Sequence, residues 1–199
     1  MEVQLGEYHT VNDTDCVFEK GIQECSDPVR DYTVNKTIIH RYYTKRTRKN
    51  DIALIRLNGR ITYSDYIRPI CLPLPGTKFA NIGDTMTISG WGIVNYKGTS
   101  ATIKKRILAE LISNEDCRER TKSFVREVTD DMLCTVTFNN SNEQSCSGDG
   151  GGPVMVSNKL QWHQEGIVSF GIFICGSKYP EIHTRVEKYL EWIEENTEP

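Results

Sequence analysis

The chain has 199 residues, of which 38% are hydrophobic and 26% are charged, and its formal net charge is -3. This composition is typical of a soluble globular protein and excludes a disordered or membrane-embedded chain, and the charge gives no reason to expect nucleic acid or an anionic membrane as the main partner. The length allows one domain with a substantial core, or two small subdomains packed together.

Short apolar or alternating runs separated by turn residues predict β-strands along the chain. The clearest are DIALIRL (51–57), DTMTISGWG (84–92), KRILAELIS (105–113) and QWHQEGIVSF (161–170). Two segments predict helices: a short polar one near 114–121, and the terminal VEKYLEWIEEN, where Val186, Tyr189, Leu190 and Ile193 share a face. We therefore expect an all-β protein with a closing C-terminal helix.

Two further segments predict irregular connections. CLPLPG (71–76) contains prolines that exclude regular structure, and it predicts a strap between two domains. HRYYTKRTRK (40–49) mixes basic and aromatic residues, but no nucleic-acid-binding fold accompanies it. We interpret it as an exposed loop between strands.

Cysteine usage favours an extracellular compartment. The chain has seven cysteines and no C-x-x-C pair, and it carries N-x-S/T sequons at Asn12, Asn35 and Asn139. Such features are compatible with secretion. The N-terminus, MEVQLGEYHT, has neither the basic nor the apolar region of a signal peptide, so the sequence also predicts that an upstream segment is missing.

An ordered set of motifs carries a family resemblance: NDIALIRL, RPICLP, ISGWG, MLC, CSGDGGGPV, IVSFG and HTRV. In this order and spacing they resemble the chymotrypsin-like (trypsin family) serine proteases over nearly the whole chain. The cysteine-bearing insertion after GEYHT resembles, more narrowly, the arthropod clip-domain proteases of immune and developmental cascades. The resemblance implies two six-stranded antiparallel β-barrels with an active site between them and a C-terminal helix, the first barrel being incomplete here.

The resemblance also places the catalytic triad. Asp51 in NDIAL matches the family's aspartate, and Gly150 occupies the position of the nucleophilic serine in the family's G-D-S-G-G-P turn. None of the four histidines sits in the family's A-A-H-C motif. Since loss of the serine or the histidine lowers turnover by roughly a million-fold, we expect no useful peptidase activity and interpret Asp51 as a triad remnant with a structural role.

The glycine turn has further implied roles. The N–H groups of Gly148 and Gly150 match the family's oxyanion hole, although consecutive glycines also have the freedom to disorder such a cavity. Asp149 resembles the aspartate that pairs with a new N-terminal ammonium after activation cleavage, and this chain has no matching I-V-G-G start. A carboxylate buried alone is costly, so Asp149 either finds another donor or stays partly exposed; the plain alternative is an ordinary turn residue.

The primary specificity pocket is altered. Its base resembles Gln144 and its wall resembles Glu181, where trypsin-type members carry an aspartate and a small residue. A trypsin-like preference therefore does not carry over to this chain, and a filled pocket and an altered pocket both remain open.

By the same resemblance, Cys117 pairs with Cys134, Cys146 with Cys175, and Cys16 with Cys25 inside the insertion. Each bond would contribute on the order of 3 kcal/mol. Cys71 is left over; in clip-domain relatives the matching cysteine links the catalytic domain to a light chain, and the alternative is a buried free thiol.

The insertion GEYHTVNDTDC is also a candidate calcium site, because clip-domain relatives bind calcium here. Glu7, the Asn12 carbonyl and Asp15 match the ligand spacing, but His9 stands where an aspartate would be expected. Imidazole is a poor ligand for a cation that prefers oxygen. The sequence therefore favours a solvated acidic loop with no cofactor.

The domain prediction follows from these points: 1–70 as the C-terminal part of the first barrel with the insertion loop, 71–84 as the strap, and 85–199 as the second barrel with the helix. In such a piece Val3 to Glu7 would form an unpaired sheet edge. The preferred function is a secreted, inactive protease homologue that binds proteases, zymogens or regulators of an extracellular cascade. The alternatives are a serine endopeptidase with an incomplete sequence and a nonfunctional truncated product.

Overall fold

The computed structural model describes residues 1–74, 80–94, 97–125, 127–138, 146–158, 161–171 and 179–197. Its regular elements in chain order are β1 (Glu2–Leu5), β2 (Cys16–Glu19), β3 (Ile22–Cys25), β4 (Arg30–Ile39), β5 (Ala53–Leu57), β6 (Thr85–Gly90), β7 (Lys105–Ile112), α1 (Asn114–Thr121), β8 (Met132–Thr137), β9 (Pro153–Asn158), β10 (Gln161–Phe170), β11 (Glu181–Arg185), a 3-10 turn (Val186–Tyr189) and α2 (Leu190–Asn196). The expectation of an all-β protein with a closing helix is confirmed.

A closed six-stranded barrel forms the second half, with strand order β10-β11-β8-β7-β6-β9 and antiparallel pairing throughout. These sequences form barrel strands because buried and exposed side chains alternate along them. In β7, the side chains of residues 105, 107, 109 and 111 point inward and those of 106 and 108 are exposed. An apolar cluster in the core is built from Met86, Ile88, Ile107, Ala109, Leu111, Leu133 and Val154.

The first half is a smaller, more exposed unit. Strands β1, β4 and β5 form a three-stranded antiparallel sheet in the order β1-β4-β5, and none of their residues is fully buried. Within the described residues, β1 pairs only with β4, which agrees with the expected sheet edge. The insertion forms a separate hairpin of β2 and β3, closed by the Cys16–Cys25 disulfide and turning at Lys20 and Gly21, both at positive φ.

Short helices and loops brace the barrel half of the chain. Helix α1 begins at Ser113, whose hydroxyl accepts a hydrogen bond from the N–H of Asp116 (3.0 Å), and a disulfide joins Cys117 to Cys134 in β8. The hydroxyl of Tyr189 donates to Asp131 Oδ2 (3.0 Å), linking the C-terminal turn to the loop before β8. All sheet and hairpin strands precede residue 58 and all barrel strands follow residue 84; the three domain limits stay a prediction.

No helix among the described residues has both the length and the apolar character needed to cross a membrane.

Candidate functional site

The glycine turn between residues 146 and 153 leads into β9, and backbone hydrogen bonds connect it to β10 and within itself. Gly151 N–H donates to the Val168 carbonyl (2.8 Å), and Gly152 N–H donates to the Asp149 carbonyl (2.9 Å). Gly148 and Gly151 have φ values of 97° and 84°, which favour glycine. At Gly152 a β-carbon would lie 2.7 Å from the Ser89 carbonyl oxygen, so this position has no room for a side chain.

Gly150 is different from its neighbours. Its φ lies outside the left-handed region, and a β-carbon built on it would meet no atom of the described residues within 4 Å. The backbone therefore does not require glycine at position 150. A side chain there would stand in open space at the wall of the cleft that Gly150 and Gly151 line.

Two backbone donors of the turn remain uncommitted. Among the described residues, the N–H groups of Gly148 and Gly150 donate to no acceptor. Neighbouring free N–H groups can bind a carbonyl oxygen or an anion. The turn thus retains the donors that the sequence assigned to an oxyanion-hole cavity, and that assignment stays a prediction.

Asp149 is buried and ion-paired. Its side chain is 0% exposed, and its Oδ2 lies 2.6 Å from Nζ of Lys105, which is 5% exposed. The same oxygen accepts from the N–H of Cys146 (2.9 Å), and Oδ1 accepts from the N–H of Gly92 (2.8 Å). Of the two alternatives that the sequence left open, the structure shows the first: Asp149 has found another donor.

The glycines of ISGWG make room for this carboxylate. A β-carbon on Gly90 would lie 2.4 Å from Asp149 Oδ1, and one on Gly92 would lie 2.5 Å from Asp149 Cγ. Sequence reasoning missed Lys105, although a signal was available. Lys105 is the polar exception on the otherwise apolar inward face of β7, and a charge at such a position needs a buried partner.

Asp51 lies in an apolar cleft of about 720 Å³ between the three-stranded sheet, the glycine turn and the C-terminal helix. Ser169 Oγ donates to Asp51 Oδ2 (2.6 Å), and Thr184 Oγ1 donates to the Asp51 carbonyl (2.8 Å). The sequence did not single out Ser169 or Thr184, because a hydroxyl in a strand has no pattern of its own. Both bonds fix Asp51 to the barrel.

All four histidines belong to the described residues, and none is hydrogen-bonded to Asp51. Asn12 Nδ2 donates to His9 Nδ1 (2.7 Å), while the His40 ring packs 5.1 Å from that of Trp192. His183 is fully buried, with Nε2 2.8 Å from Thr135 Oγ1, and burial lowers its pKa to about 3. The described chain therefore places no imidazole as a base beside Asp51.

The specificity pocket is described only in part. The side chain of Glu181 lies against the backbone of Gly171, where a β-carbon would be 3.5 Å from Glu181 Cγ. Gln144, the expected base, lies outside the described residues. Whether Glu181 fills the pocket or alters its preference stays open.

The described cysteines agree with the disulfide pairing that the family resemblance implies. The disulfides Cys16–Cys25 and Cys117–Cys134 are present. Cys146 is also disulfide-bonded, and its expected partner, Cys175, lies outside the described residues. Cys71 is a free thiol, half-buried, and its backbone pairs with β10 through Trp162 and Gln164.

The insertion loop is organised by its own groups. Asp15 Oδ2 accepts from the N–H of His9 (3.1 Å), and Lys104 Nζ donates to the Glu7 carbonyl (3.1 Å). Burial lowers the pKa of Lys104, and the negative charges of Glu7 and Asp15 oppose this shift. Within the part of the chain that the structure describes, Glu7 Oε1 is buried without a hydrogen-bond partner, a feature that would suit a cation, but the Lys104 ammonium lies beside the acidic groups. The donor set does not fit a calcium ion well.

The barrel, the glycine turn locked on Asp149, and Asp51 in the cleft beside it define a chymotrypsin-like architecture. The Trypsin family model matches residues 8–193, and the chain belongs to this family.

Several curated relatives from insects are similar to the chain. Melanization protease 1 of Drosophila melanogaster is 36% identical over 98% of this chain and 50% of its own length. CLIP domain-containing serine protease B10 of Anopheles gambiae is 35% identical over 98% of this chain and 53% of its own length. Phenoloxidase-activating factor 1 of Holotrichia diomphalia is 36% identical over 100% of this chain and 54% of its own length. The chain thus spans about half the length of the curated relatives it matches.

Proposed function

We propose that this protein is a catalytically inactive member of the trypsin family that acts as a binding or regulatory component of an extracellular proteolytic cascade. One observation carries the proposal: the turn that would present a nucleophile is fully built, yet position 150 carries no side chain in a space that would accept one. Nucleophilic catalysis needs both an attacking atom and a base to activate it. The described chain supplies neither beside Asp51.

The names of the relatives support the cascade part of the proposal. They include a melanization protease, a phenoloxidase-activating factor and a Spaetzle-processing enzyme, which are 35 to 36% identical to this chain. Partners of this chain would accordingly be proteases, zymogens or regulators that contact the cleft or its rim. A half-buried free thiol at Cys71 leaves a position for a disulfide to a partner chain.

Secretion and glycosylation belong to the same proposal. The disulfides require an oxidising compartment to persist. The sequon asparagines Asn12 and Asn35 are exposed, as glycan attachment requires; Asn139 lies outside the described residues.

A fluorophosphonate probe tests inactivity, because it labels only an activated serine. We expect no labelling of the purified chain at a probe concentration that labels trypsin fully. The Gly150→Ser variant should also remain unlabelled, since no imidazole faces position 150 in the described chain. Labelling of the unmodified chain would overturn the proposal in favour of a serine endopeptidase.

Binding is tested by immobilising the chain and exposing it to cell-free insect haemolymph. Retention of trypsin-family proteases or their zymogens, identified by mass spectrometry and abolished by a large substitution at the cleft wall such as Gly150→Trp, would support the proposal. If the chain and the Gly150→Trp variant retain the same proteins, or none, the binding role is refuted and a nonfunctional product is the better description.

A further inference from the structure

The ion pair between Lys105 and Asp149 joins two segments that are 44 residues apart in sequence. Both side chains are withdrawn from solvent, at 5% and 0% exposure. Each charge is stable in this place only because the other is present, since a buried charge without its partner is strongly unfavourable. The pair therefore couples the first residue of β7 to the glycine turn.

The Asp149 carboxylate determines the course of the turn on both sides. Upstream it accepts from the N–H of Cys146, and across the loop it accepts from the N–H of Gly92. Its own carbonyl accepts from the N–H of Gly152, so the position of Asp149 fixes the start and the end of the turn. After Asp149 the turn consists of Gly150, Gly151 and Gly152, which have no side chains with which to hold the backbone in place.

We propose that Lys105 is the positioning residue that latches the glycine turn, so that the turn keeps its built form in the chain as it stands. The cation that neutralises Asp149 is a side chain of the barrel itself. The form of the turn that presents the uncommitted N–H groups of Gly148 and Gly150 is then permanent and needs no cation from elsewhere. This inference rests on the proposed function only in taking the cleft as the binding site.

The charge of Lys105, rather than its bulk, carries this role. Its Nζ reaches Asp149 Oδ2 at 2.6 Å, and its second contact, to the Ile93 carbonyl, is much longer at 3.4 Å. A side chain that merely filled space would be replaced by methionine without consequence for the turn. Removal of the charge instead leaves the Asp149 carboxylate buried without a counterion.

The test is amide hydrogen exchange of the whole chain, without any partner, in the Lys105→Met variant. We expect exchange at Gly151 and Gly152 to become roughly a hundredfold faster, because the turn must open to hydrate Asp149. Exchange in β8 and β11, on the far side of the barrel, should stay close to that of the unmodified chain. The matched control is Lys104→Met, which removes the same charge from the adjacent position, where the ammonium binds the Glu7 carbonyl instead of Asp149, and should leave the turn unchanged.

A second variant covers the case in which Lys105→Met alone does not fold. In Lys105→Met/Asp149→Asn no buried charge remains, so the latch predicts a folded barrel whose turn exchanges more slowly than in the single variant. Unchanged exchange at Gly151 and Gly152 in Lys105→Met would overturn the proposal. The Asp149→Asn variant, measured alongside, completes the cycle: the proposal would also be overturned if the effect of the double variant equalled the sum of the effects of Lys105→Met and Asp149→Asn, because the two groups would then be uncoupled.

The outcome is separate from that of the proposed function, since exchange is measured without a partner or probe. If Lys105→Met speeds exchange in the turn but the chain retains no protease from haemolymph, the binding role is refuted and the role of Lys105 is supported. If the chain retains proteases but Lys105→Met leaves exchange in the turn unchanged, the binding role is supported and the role of Lys105 is refuted.

Discussion

At the scale of single residues, the glycines of the turn have unequal roles. Gly148, Gly151 and Gly152 are required by positive φ or by close backbone contact, whereas Gly150 is required by neither. The sequence alone does not distinguish these glycines. The difference between them shows that the backbone does not require the absence of a side chain at position 150.

Gly150→Ala should leave the free energy of unfolding unchanged or raise it by about 0.4–1 kcal/mol, because it restricts the unfolded chain without straining the folded one. Gly151→Ala, at φ 84°, should instead lower the free energy of unfolding by about 1–2 kcal/mol. Urea denaturation of both variants measures the difference. Equal destabilisation would show that position 150 is as constrained as its neighbour.

His183 makes the stability of the barrel depend on pH. Its pKa falls from 6.5 to about 3 because burial disfavours the imidazolium. Between pH 6.5 and 3 the unfolded chain therefore binds more protons at this site than the folded chain. The contribution of His183 to stability is complete above pH 6.5 and falls by about 1.4 kcal/mol per pH unit as the pH drops through this window.

Comparison with a His183→Gln variant isolates this contribution, because other groups titrate in the same range. Burial raises the pKa of Glu165 to about 6. Its contribution to stability therefore increases as the pH falls from 6 to 4.5, opposite in sign to that of His183, and it is the same in the unmodified chain and in His183→Gln. Chemical denaturation at several pH values should show the two stability curves converging as the pH falls from 6.5. Parallel curves, or the same convergence in His9→Gln, would contradict the assignment.

At the scale of elements, the insertion loop and its hairpin are organised by covalent and internal polar bonds rather than by a core. The hairpin strands are exposed at every residue and are closed by the Cys16–Cys25 disulfide. The ammonium of Lys104 lies beside the acidic groups of the loop. We propose, as the sequence favoured, that this loop works without calcium.

Calcium at about a hundred times a dissociation constant would stabilise a chain that binds it by about 2.7 kcal/mol. For this chain we expect the thermal midpoint in millimolar calcium to match that in EDTA. Lys104→Ala provides the informative variant, because it removes the ammonium beside Glu7 and Asp15; if that ammonium excludes the cation, calcium should raise the thermal midpoint of this variant. A calcium-dependent rise in the midpoint of the unmodified chain would show that the loop is a metal site after all.

The elements that could be predicted from sequence are those with a clear period. Strands β5, β6, β7 and β10 and helix α1 were predicted from alternation or polarity. Strand β11 was not, because His183 and Thr184 are polar residues buried by tertiary packing and they break the apolar pattern. The hairpin has no buried face and therefore no period, and Lys105 acquires its partner only when two distant segments meet.

At the scale of the whole molecule, the two halves differ in how well they can stand alone. The barrel closes on itself around an apolar core, while the three-stranded sheet buries no residue completely. The sheet is joined to the barrel through Asp51, which Ser169 and Thr184 bind. We therefore expect the sheet to open first.

Limited proteolysis with a protease of broad specificity, followed by intact mass spectrometry, measures this order. A fragment containing the barrel should outlast any fragment drawn from the first 70 residues, because cleavage requires local opening and the barrel opens least. Preferential survival of a fragment spanning 1–70 would contradict the prediction. The same digestion of Ser169→Ala should release the sheet sooner, since one of the bonds to Asp51 is lost.

The open space at position 150 also bears on the evolutionary history of the chain. A single base substitution converts some glycine codons to serine codons, and the fold would accept the new side chain without repacking. A hydroxyl at position 150 is therefore a short mutational step away. The fold itself does not hold this position at glycine, so the residue found there reflects mutation and selection rather than a constraint of the backbone.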